Sequence, residues 1–390
     1  MNYDFETVYN RKGTHCLKWD DDERYSLEKV LPMWVADMEF PTPECIVDAL
    51  KKRVAHPFYS YTHDDGTFAE VTADWIKKSH HWNVEKEWVR YSHSVLSSLA
   101  IALQIFTERM DGVIIMPPVY YPFAERIEKL QRVVTKCPLL LKDGYYEIDF
   151  DNLEKYARMP EVKALVFCNP HNPVGRVFRA EEIRKVGEIC LKNNVHIFSD
   201  EIHADLTLED NKHIPFGSIS KEIADITISA YSVSKTFNMA GINASSVIIP
   251  NSEIRTRFEE VRDSMGMGLI PCLSLEGYIA AYSQGREFVS QLKICLKNNR
   301  DFVAEYLKKF VPKIKAMPLE GTYLMWLDCR ELNMSPTELE TFMFDKALLS
   351  FDHGYWFGEE GNGFIRMNIA CPRTMIEKAL ERLRSVTGES

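Results

Sequence analysis

The sequence contains no run of about 20 uninterrupted apolar residues, the length that a membrane-spanning helix requires. Its first residues, MNYDFE, do not combine a basic start with an apolar stretch, so a secretory signal peptide is not expected. Hydrophobic residues make up 45% of the chain and charged residues 27%, values typical of a soluble globular protein. We therefore expect a soluble, cytoplasmic protein.

The chain also lacks a concentrated basic segment and paired cysteines. Its formal net charge is −10, and its short basic clusters, at residues 51–53 and 77–78, lie in helix-like stretches typical of solvated faces. Nucleic-acid-binding proteins usually carry a concentrated basic footprint, so neither nucleic acid nor membrane is expected as a partner. The nine cysteines are scattered singly without a C-x-x-C pair, which favours reduced thiols over disulfides or a zinc site.

The length of 390 residues exceeds the size at which one hydrophobic core keeps growing, so two unequal domains are expected. Between about residues 111 and 250, short apolar runs alternate with amphipathic stretches, a pattern typical of strands joined by crossover helices. Strands are predicted at residues 112–116, 164–168, 196–199, 226–229 and 246–249. A crossover helix is predicted between residues 178 and 194, where Ile183, Val186 and Cys190 recur at helical spacing.

The last hundred residues have a different pattern. Charged amphipathic helices are predicted around residues 290–310 and 335–349, on either side of the apolar stretch TYLMWL at residues 322–327. This combination predicts a smaller α+β domain. Residues 1–40 lack clear periodicity and are expected to pack on the small domain or on a partner subunit. The expected organisation is an N-terminal segment at 1–40, a large domain at 41–285 and a small domain at 286–390.

Three polar motifs follow predicted strands of the large domain. They are NPHNPVG at residues 169–175, SDEIH at residues 199–203 and SVSKTFN at residues 232–238, which contains Lys235. Ligands of open α/β sheets bind beyond the carboxyl ends of the strands, where these motifs are expected to meet. Asp200 stands where a cationic heterocycle would need a counter-charge. A lysine near apolar or cationic groups can have its pKa lowered enough to act as an amine nucleophile.

Each motif also has a simpler interpretation. The NPHNPVG stretch could be an ordinary proline-rich turn, Lys235 a surface lysine, and His203 a structural histidine. His196, Asp200 and His203 could also be imagined as metal ligands, but a path from strand into loop would not bring them to one point. A cofactor is therefore favoured over a metal.

Four motifs together resemble the fold-type I pyridoxal-phosphate enzymes of the aminotransferase class I/II superfamily, and most closely its cystalysin-like carbon–sulfur lyases of the cystathionine β-lyase branch. The motifs are PMWVADMEF at residues 32–40, DEIH at 200–203, SKTFN at 234–238 and FIRMN at 364–368. The resemblance runs from the first residues to about Leu383. It implies an aspartate-aminotransferase-like α/β fold, in which a large cofactor-binding domain with a mostly parallel sheet flanked by helices is joined to a smaller α+β domain.

The resemblance implies pyridoxal 5′-phosphate as the cofactor. Lys235 would link covalently to it and later remove the substrate's α-proton. Asp200 would pair with the pyridinium nitrogen, Asn172 would hydrogen-bond the ring's 3-oxygen, and Tyr120 would stack on the ring. The phosphate would lie at the start of a helix at about residues 95–106, where free backbone amides favour an anion. Further cofactor contacts are implied for Val95, Leu96, Ser232 and His203.

The resemblance also implies a substrate site and a partner subunit. Arg366 would grip the substrate α-carboxylate with two hydrogen bonds, with Ala36 and Asn172 as further contacts. Arg366 could otherwise belong to an ordinary surface ion pair. Tyr61 matches a tyrosine that related enzymes contribute to the cofactor site of the neighbouring subunit, which implies a homodimer with shared active sites.

Two positions depart from the pattern of the superfamily. Relatives commonly have GVVP where this chain has SVLS at residues 94–97, and aminotransferases often have arginine at the position of Asn243. Because the β-lyase relatives also lack that arginine, its absence favours a lyase. The resemblance implies α,β-elimination on a cystathionine- or cysteine-type amino acid, giving pyruvate, ammonia and a thiol. An aminotransferase, or a regulatory binding protein that retains the cofactor site, stays open as an alternative.

Overall fold

The structure is a computed structural model, and it describes residues 3–387. The helices are α1 Leu17–Asp20, α2 Glu44–Ala55, α3 Thr67–His80, α4 Val95–Phe106, α5 Pro122–Lys129, α6 Phe150–Ala157, α7 Ala180–Lys192, α8 Lys221–Ala224, α9 Val233–Thr236, α10 Ser252–Ser264, α11 Cys272–Gln284, α12 Arg286–Phe310, α13 Pro336–Thr341 and α14 Arg373–Thr387. The strands are β1 Leu31–Pro32, β2 Val89–Ser92, β3 Gly112–Ile115, β4 Val133–Lys136, β5 Leu140–Lys142, β6 Tyr145–Glu147, β7 Val162–Cys168, β8 His196–Asp200, β9 Thr227–Ser232, β10 Ser245–Ile248, β11 Lys315–Ala316, β12 Leu324–Asp328, β13 Leu349–Ser350, β14 Asp352–His353 and β15 Phe364–Asn368.

A seven-stranded sheet forms the centre of the large part of the molecule, in the order β2-β10-β9-β8-β7-β3-β4. Six strands of this sheet run in the same direction, and β10 runs opposite to them. The continuous apolar run of β7 is expected for a strand that helices cover on both faces. Leu165 and Phe167 pack on the side of α7, whereas Ala164 and Val166 pack on the side of α4. The sheet is therefore buried between two helical layers.

A second, antiparallel sheet has the strand order β11-β12-β15-β14. The 25-residue helix α12 packs beside α14 near this sheet. Its buried stripe contains residues three to four positions apart, such as Phe288, Leu292 and Leu296, which is the spacing of one helical face. The expected fold class, a mostly parallel sheet flanked by helices plus a smaller α+β part, is confirmed.

The N-terminal segment crosses from the small sheet to the large one. β1 pairs in parallel with β13. Asn368 Nδ2 donates to the carbonyls of Val35 and Asp37, both at 2.6 Å. Asn238 Nδ2 donates to Met38 O at 3.0 Å and Phe40 O at 2.8 Å. The FIRMN and SKTFN motifs thus bind the PMWVADMEF segment from two sides. The domain boundaries at residues 40 and 285 stay a prediction.

Some predicted elements differ from the structure. All five predicted strands are present with ends within two residues, except that β9 extends three residues further than predicted, to Ser232. The helix predicted at residues 335–349 is shorter: α13 ends at Thr341, a π-helical turn follows at Phe342–Lys346, and Leu348 has a φ of 55°. A left-handed residue interrupts the helical hydrogen bonds, so the chain turns there into β13. Within residues 3–387, no helix is both long and apolar enough to cross a bilayer.

Candidate active site

A cavity of about 180 Å³ lies at the carboxyl ends of β7, β8 and β9. Cys168, Asp200 and Ser232, the last residues of these strands, all line it. Most of the predicted site residues share this lining: Ala36, Val95, Leu96, Tyr120, Asn172, Asp200, His203, Ser232 and Lys235. Arg366 and Tyr61 are outside it. The three motifs therefore meet at one edge of the sheet, as the rule for open α/β sheets predicts.

Lys235 lies in the short helix α9, directly after β9. Ser232 caps this helix, because its hydroxyl accepts from the N–H of Ser234 at 3.2 Å. The Nζ of Lys235 donates to the carbonyl of Ala36 at 2.7 Å, and the Tyr323 hydroxyl donates to the same oxygen at 2.9 Å. Burial lowers the pKa of Lys235 from its usual 10.5 to about 8. About a tenth of the amine is therefore neutral, and nucleophilic, at pH 7, far more than for a lysine of ordinary pKa.

Asp200 ends strand β8 and is buried beside the lysine. Its Oδ1 accepts from the N–H of Ile202 at 3.0 Å. Burial raises the pKa of Asp200 from 3.8 to about 7, although the hydrogen bond and the charge of Lys235 oppose the shift. Because a cation placed against this carboxyl would favour its ionised form, Asp200 is suited to pair with a positively charged ring nitrogen.

The start of α4 forms another wall of the cavity. Ser94 is its N-cap, and its hydroxyl accepts from the N–H of Ser97 at 3.1 Å and contacts the Ser97 hydroxyl at 2.8 Å. The N–H groups of Val95 and Leu96 precede the capped one, so they have no acceptor within the helix. The SVLS sequence therefore forms a regular capped helix start whose free amides favour an anion.

Arg366 lies in β15 behind the cavity and is 3% exposed. Its Nη1 donates to Oδ1 of Asn172 at 2.8 Å, and its Nη2 donates to the carbonyl of Trp34 at 3.2 Å and to the carboxylate of Asp352. The ion pair with Asp352 is therefore buried, which excludes an ordinary surface ion pair. Through Asn172, Arg366 is connected to the cavity lining.

The remaining residues considered in the sequence analysis are His203, His196 and Tyr61. His203 is buried with its ring edge-on to Tyr323, and burial lowers its pKa well below the usual value. His196 stacks on Phe106 at 4.4 Å. In the part of the chain that the structure describes, no group of three or more potential ligands could hold a metal ion. Tyr61 is 92% exposed and lies away from the cavity of its own chain.

Comparison with known proteins identifies the family to which the chain belongs. The family model for aminotransferase class I and II matches residues 28–383. The chain belongs to this family. Cystathionine beta-lyase PatB of Bacillus subtilis is 38% identical over 386 residues, which cover 99% of both chains. Protein MalY of Escherichia coli is 32% identical and 98% of each chain is covered.

Among solved structures, cystalysin from Treponema denticola is similar, with a TM-score of 0.95 and 40% identity over 99% of both chains. That crystal structure contains a pyridoxal 5′-phosphate cofactor. The resemblance expected from the four motifs, both to the superfamily and to its cystathionine β-lyase branch, is confirmed.

In this member of the aminotransferase class I and II family, the sequence did not predict two residues at the site, Tyr323 and Asp352. Tyr323 shares the Ala36 carbonyl with Lys235, and Asp352 holds Arg366. Asp352 is opposite Arg366 in the β14–β15 pairing, and a short-range motif carries no information about that register. Tyr323 lies in the apolar stretch at residues 322–327, just before β12, and its polar hydroxyl was the signal that could have identified it.

Proposed function

We propose that the protein is a pyridoxal-phosphate-dependent carbon–sulfur β-lyase. It would act on L-cystathionine, L-cysteine or a similar amino acid and release pyruvate, ammonia and a thiol or sulfide. The observation that carries the proposal is the single cavity in which Lys235, Asp200 and the start of α4 meet. The relatives named as cystathionine β-lyase and cystalysin support the choice of elimination.

The residues present fit this cofactor group by group. The partly neutral amine of Lys235 suits an aldehyde, the buried carboxyl of Asp200 suits a cationic ring nitrogen, and the free amides of Val95 and Leu96 suit a phosphate. Ser232 would add a hydroxyl, Tyr120 and His203 would border the ring, and Asn172 would contact the ring oxygen. When bound, pyridoxal phosphate supplies an electron sink for negative charge at the substrate α-carbon.

Each of the protein's own groups has a separate role in the proposed reaction. Arg366 and Asn172 bind the α-carboxylate, next to the backbone at Ala36. The Nζ of Lys235 takes the α-proton, and the Ala36 carbonyl holds this amine in the cavity. Loss of thiolate from the β-carbon leaves an aminoacrylate, which water converts to pyruvate and ammonia. The overall reaction consumes one water and forms one thiol.

The test is product analysis without an added keto acid. The holoenzyme incubated with L-cystathionine or L-cysteine is expected to give pyruvate and ammonia in equal amounts, together with free thiol or sulfide. Lys235→Ala should abolish the activity, whereas Lys221→Ala, at an exposed lysine of another four-residue helix, should leave it unchanged. Amino transfer to an added keto acid without pyruvate formation would identify an aminotransferase instead. A yellow protein that turns over no amino acid would favour the regulatory alternative.

We further propose that the protein acts as a cytoplasmic homodimer in which Tyr61 reaches the partner's active site. Phe58, Tyr59 and Tyr61 are 66%, 60% and 92% exposed, and a cluster of large exposed aromatics is typical of an interaction surface. Mixing inactive Lys235→Ala and Tyr61→Ala subunits tests the arrangement. If the sites are shared, hybrid dimers contain one intact site and activity returns. No recovery in dimers shown to have exchanged subunits would contradict it.

A further inference from the structure

Arg366 uses some of its guanidinium N–H groups for contacts within the protein, and this limits how it can bind a carboxylate. A guanidinium has five N–H groups. Nη1 donates to Asn172, and Nη2 has two acceptors, the Trp34 carbonyl and the Asp352 carboxylate. Nε is buried and has no acceptor among residues 3–387. The two N–H groups without an acceptor are therefore one on Nε and one on Nη1.

These two free groups do not lie on one edge of the guanidinium. A carboxylate binds with two parallel hydrogen bonds either at the end edge, Nη1 and Nη2, or at the side edge, Nε and Nη2. Both edges include Nη2, and both N–H groups of Nη2 are committed. A substrate carboxylate can therefore be bound through two parallel bonds only after Nη2 changes partners.

Asp352 is placed to make that change. It is opposite Arg366 in the antiparallel pairing of β14 and β15, so both side chains project from the same face of the sheet. Both residues are 3% exposed. The second carboxylate oxygen of Asp352, Oδ1, is buried and has no donor in the described part of the chain. The same ion pair thus contains an unused acceptor, Asp352 Oδ1, and an unused donor, Arg366 Nε.

We propose that Asp352 is a positioning residue that adjusts Arg366 for the substrate α-carboxylate: it changes from a contact through one oxygen to a paired contact with Nε and Nη2. The end edge is then open to the substrate, and the longer contact with Trp34 is released. All five N–H groups have acceptors in this arrangement, two in Asp352, one in Asn172 and two in the substrate. The inference rests on the proposed function in taking an amino acid as substrate.

Asp352→Asn tests the proposal, because asparagine offers only one oxygen and would turn N–H groups toward a guanidinium. The probe is L-alanine, which has no leaving group on its β-carbon, titrated into the holoenzyme and followed by visible absorbance. The dissociation constant for L-alanine and the KM for the thiol-bearing substrate are expected to rise about tenfold or more. The kcat is expected to change less than threefold, since Lys235 and Asp200 are untouched.

Two comparisons separate this role from a general loss of structure. Asp345→Asn, which removes an exposed carboxylate of the same region, should leave the dissociation constant for L-alanine unchanged. In an Arg366→Lys background, Asp352→Asn should cost less than twofold, because an ammonium has no edges to arrange. An unchanged dissociation constant in Asp352→Asn, or an equal loss in both backgrounds, would overturn the inference.

A measurement on the unmutated protein covers the case in which Asp352→Asn does not fold. In a crystal structure of the holoenzyme with L-alanine, Asp352 Oδ1 is expected about 3 Å from Arg366 Nε. A single-oxygen contact that persists with L-alanine bound would overturn the inference while leaving the β-lyase proposal intact. A wild-type holoenzyme that does not respond to L-alanine or to the thiol-bearing amino acids would overturn both.

Discussion

Replacing Asp200 by asparagine should stabilise the protein when the cofactor has been removed and weaken its binding of the cofactor. The pKa of Asp200 is raised from 3.8 to about 7 by burial, a shift of about three units. Each unit corresponds to about 1.4 kcal/mol, so ionised Asp200 costs the folded apoprotein on the order of 4 kcal/mol above pH 7. Asparagine has no such cost, and its carbonyl can still accept from Ile202.

The stability difference between Asp200→Asn and the wild-type apoprotein should depend on pH. Because the pKa of this carboxyl is raised in the folded state, its contribution to stability is most favourable below its unfolded pKa and is lost as pH rises through about 7. The difference between Asp200→Asn and wild type should therefore be close to zero near pH 4 and reach its full value by pH 8. The holoenzyme should show the opposite preference, because a cationic ring nitrogen needs the ionised carboxylate.

The assay is urea denaturation of both apoproteins at several pH values, with the exposed Asp210→Asn as the control. Cofactor affinity is measured separately by titrating pyridoxal phosphate and following its visible absorbance. An Asp200→Asn apoprotein that is less stable than wild type at pH 8 would refute the reasoning, as would cofactor affinity equal to that of wild type.

Three further predictions concern the lysine, the arginine and the N-terminal segment. The rate at which pyridoxal phosphate attaches to Lys235 should rise with pH, reach half its maximum near pH 8 and level off above about pH 9, with about a tenth of the amine neutral at pH 7; a stopped-flow absorbance profile still rising through pH 10 would contradict the lowered pKa. Arg366→Lys should raise KM at least tenfold in the pyruvate assay, since an ammonium cannot form two parallel bonds to a carboxylate; an unchanged KM would show that the arginine does not bind substrate. Asn238→Ala should lower the free energy of unfolding by about 2–3 kcal/mol, since it removes three hydrogen bonds to Met38 and Phe40, and urea denaturation that finds a loss under 0.5 kcal/mol would count against that anchoring role.

The sequence was most informative where a local pattern decides the structure. Apolar runs of four or five residues predicted five of the seven strands of the large sheet, and the polar residues at their ends predicted the place of Asp200, Ser232 and Lys235. The two edge strands, β2 and β4, were missed, because neither contains a continuous apolar run of four residues. The roles of the site residues and the domain boundaries stay predictions.

Contacts between distant parts of the chain could not be predicted from local sequence patterns. The Nζ of Lys235 and the carbonyl of Ala36 are 199 residues apart in the sequence, and Arg366 meets Asn172 across 194. Such contacts depend on the register of sheets and the path of an irregular segment, which local propensities do not encode. The resemblance of four motifs to one superfamily predicted that these residues belong together, but not which atoms join them.

The N-terminal segment behaves as a component of the active site rather than as an appendage, since residues 33–40 are bound by Asn238, Asn368 and Lys235. A chain cut after residue 40 would therefore leave Lys235 without its backbone acceptor, while the severed peptide would keep most of the groups that recognise the remainder. The two pieces form a natural pair for fragment complementation, in which recovered lyase activity would report their reassociation.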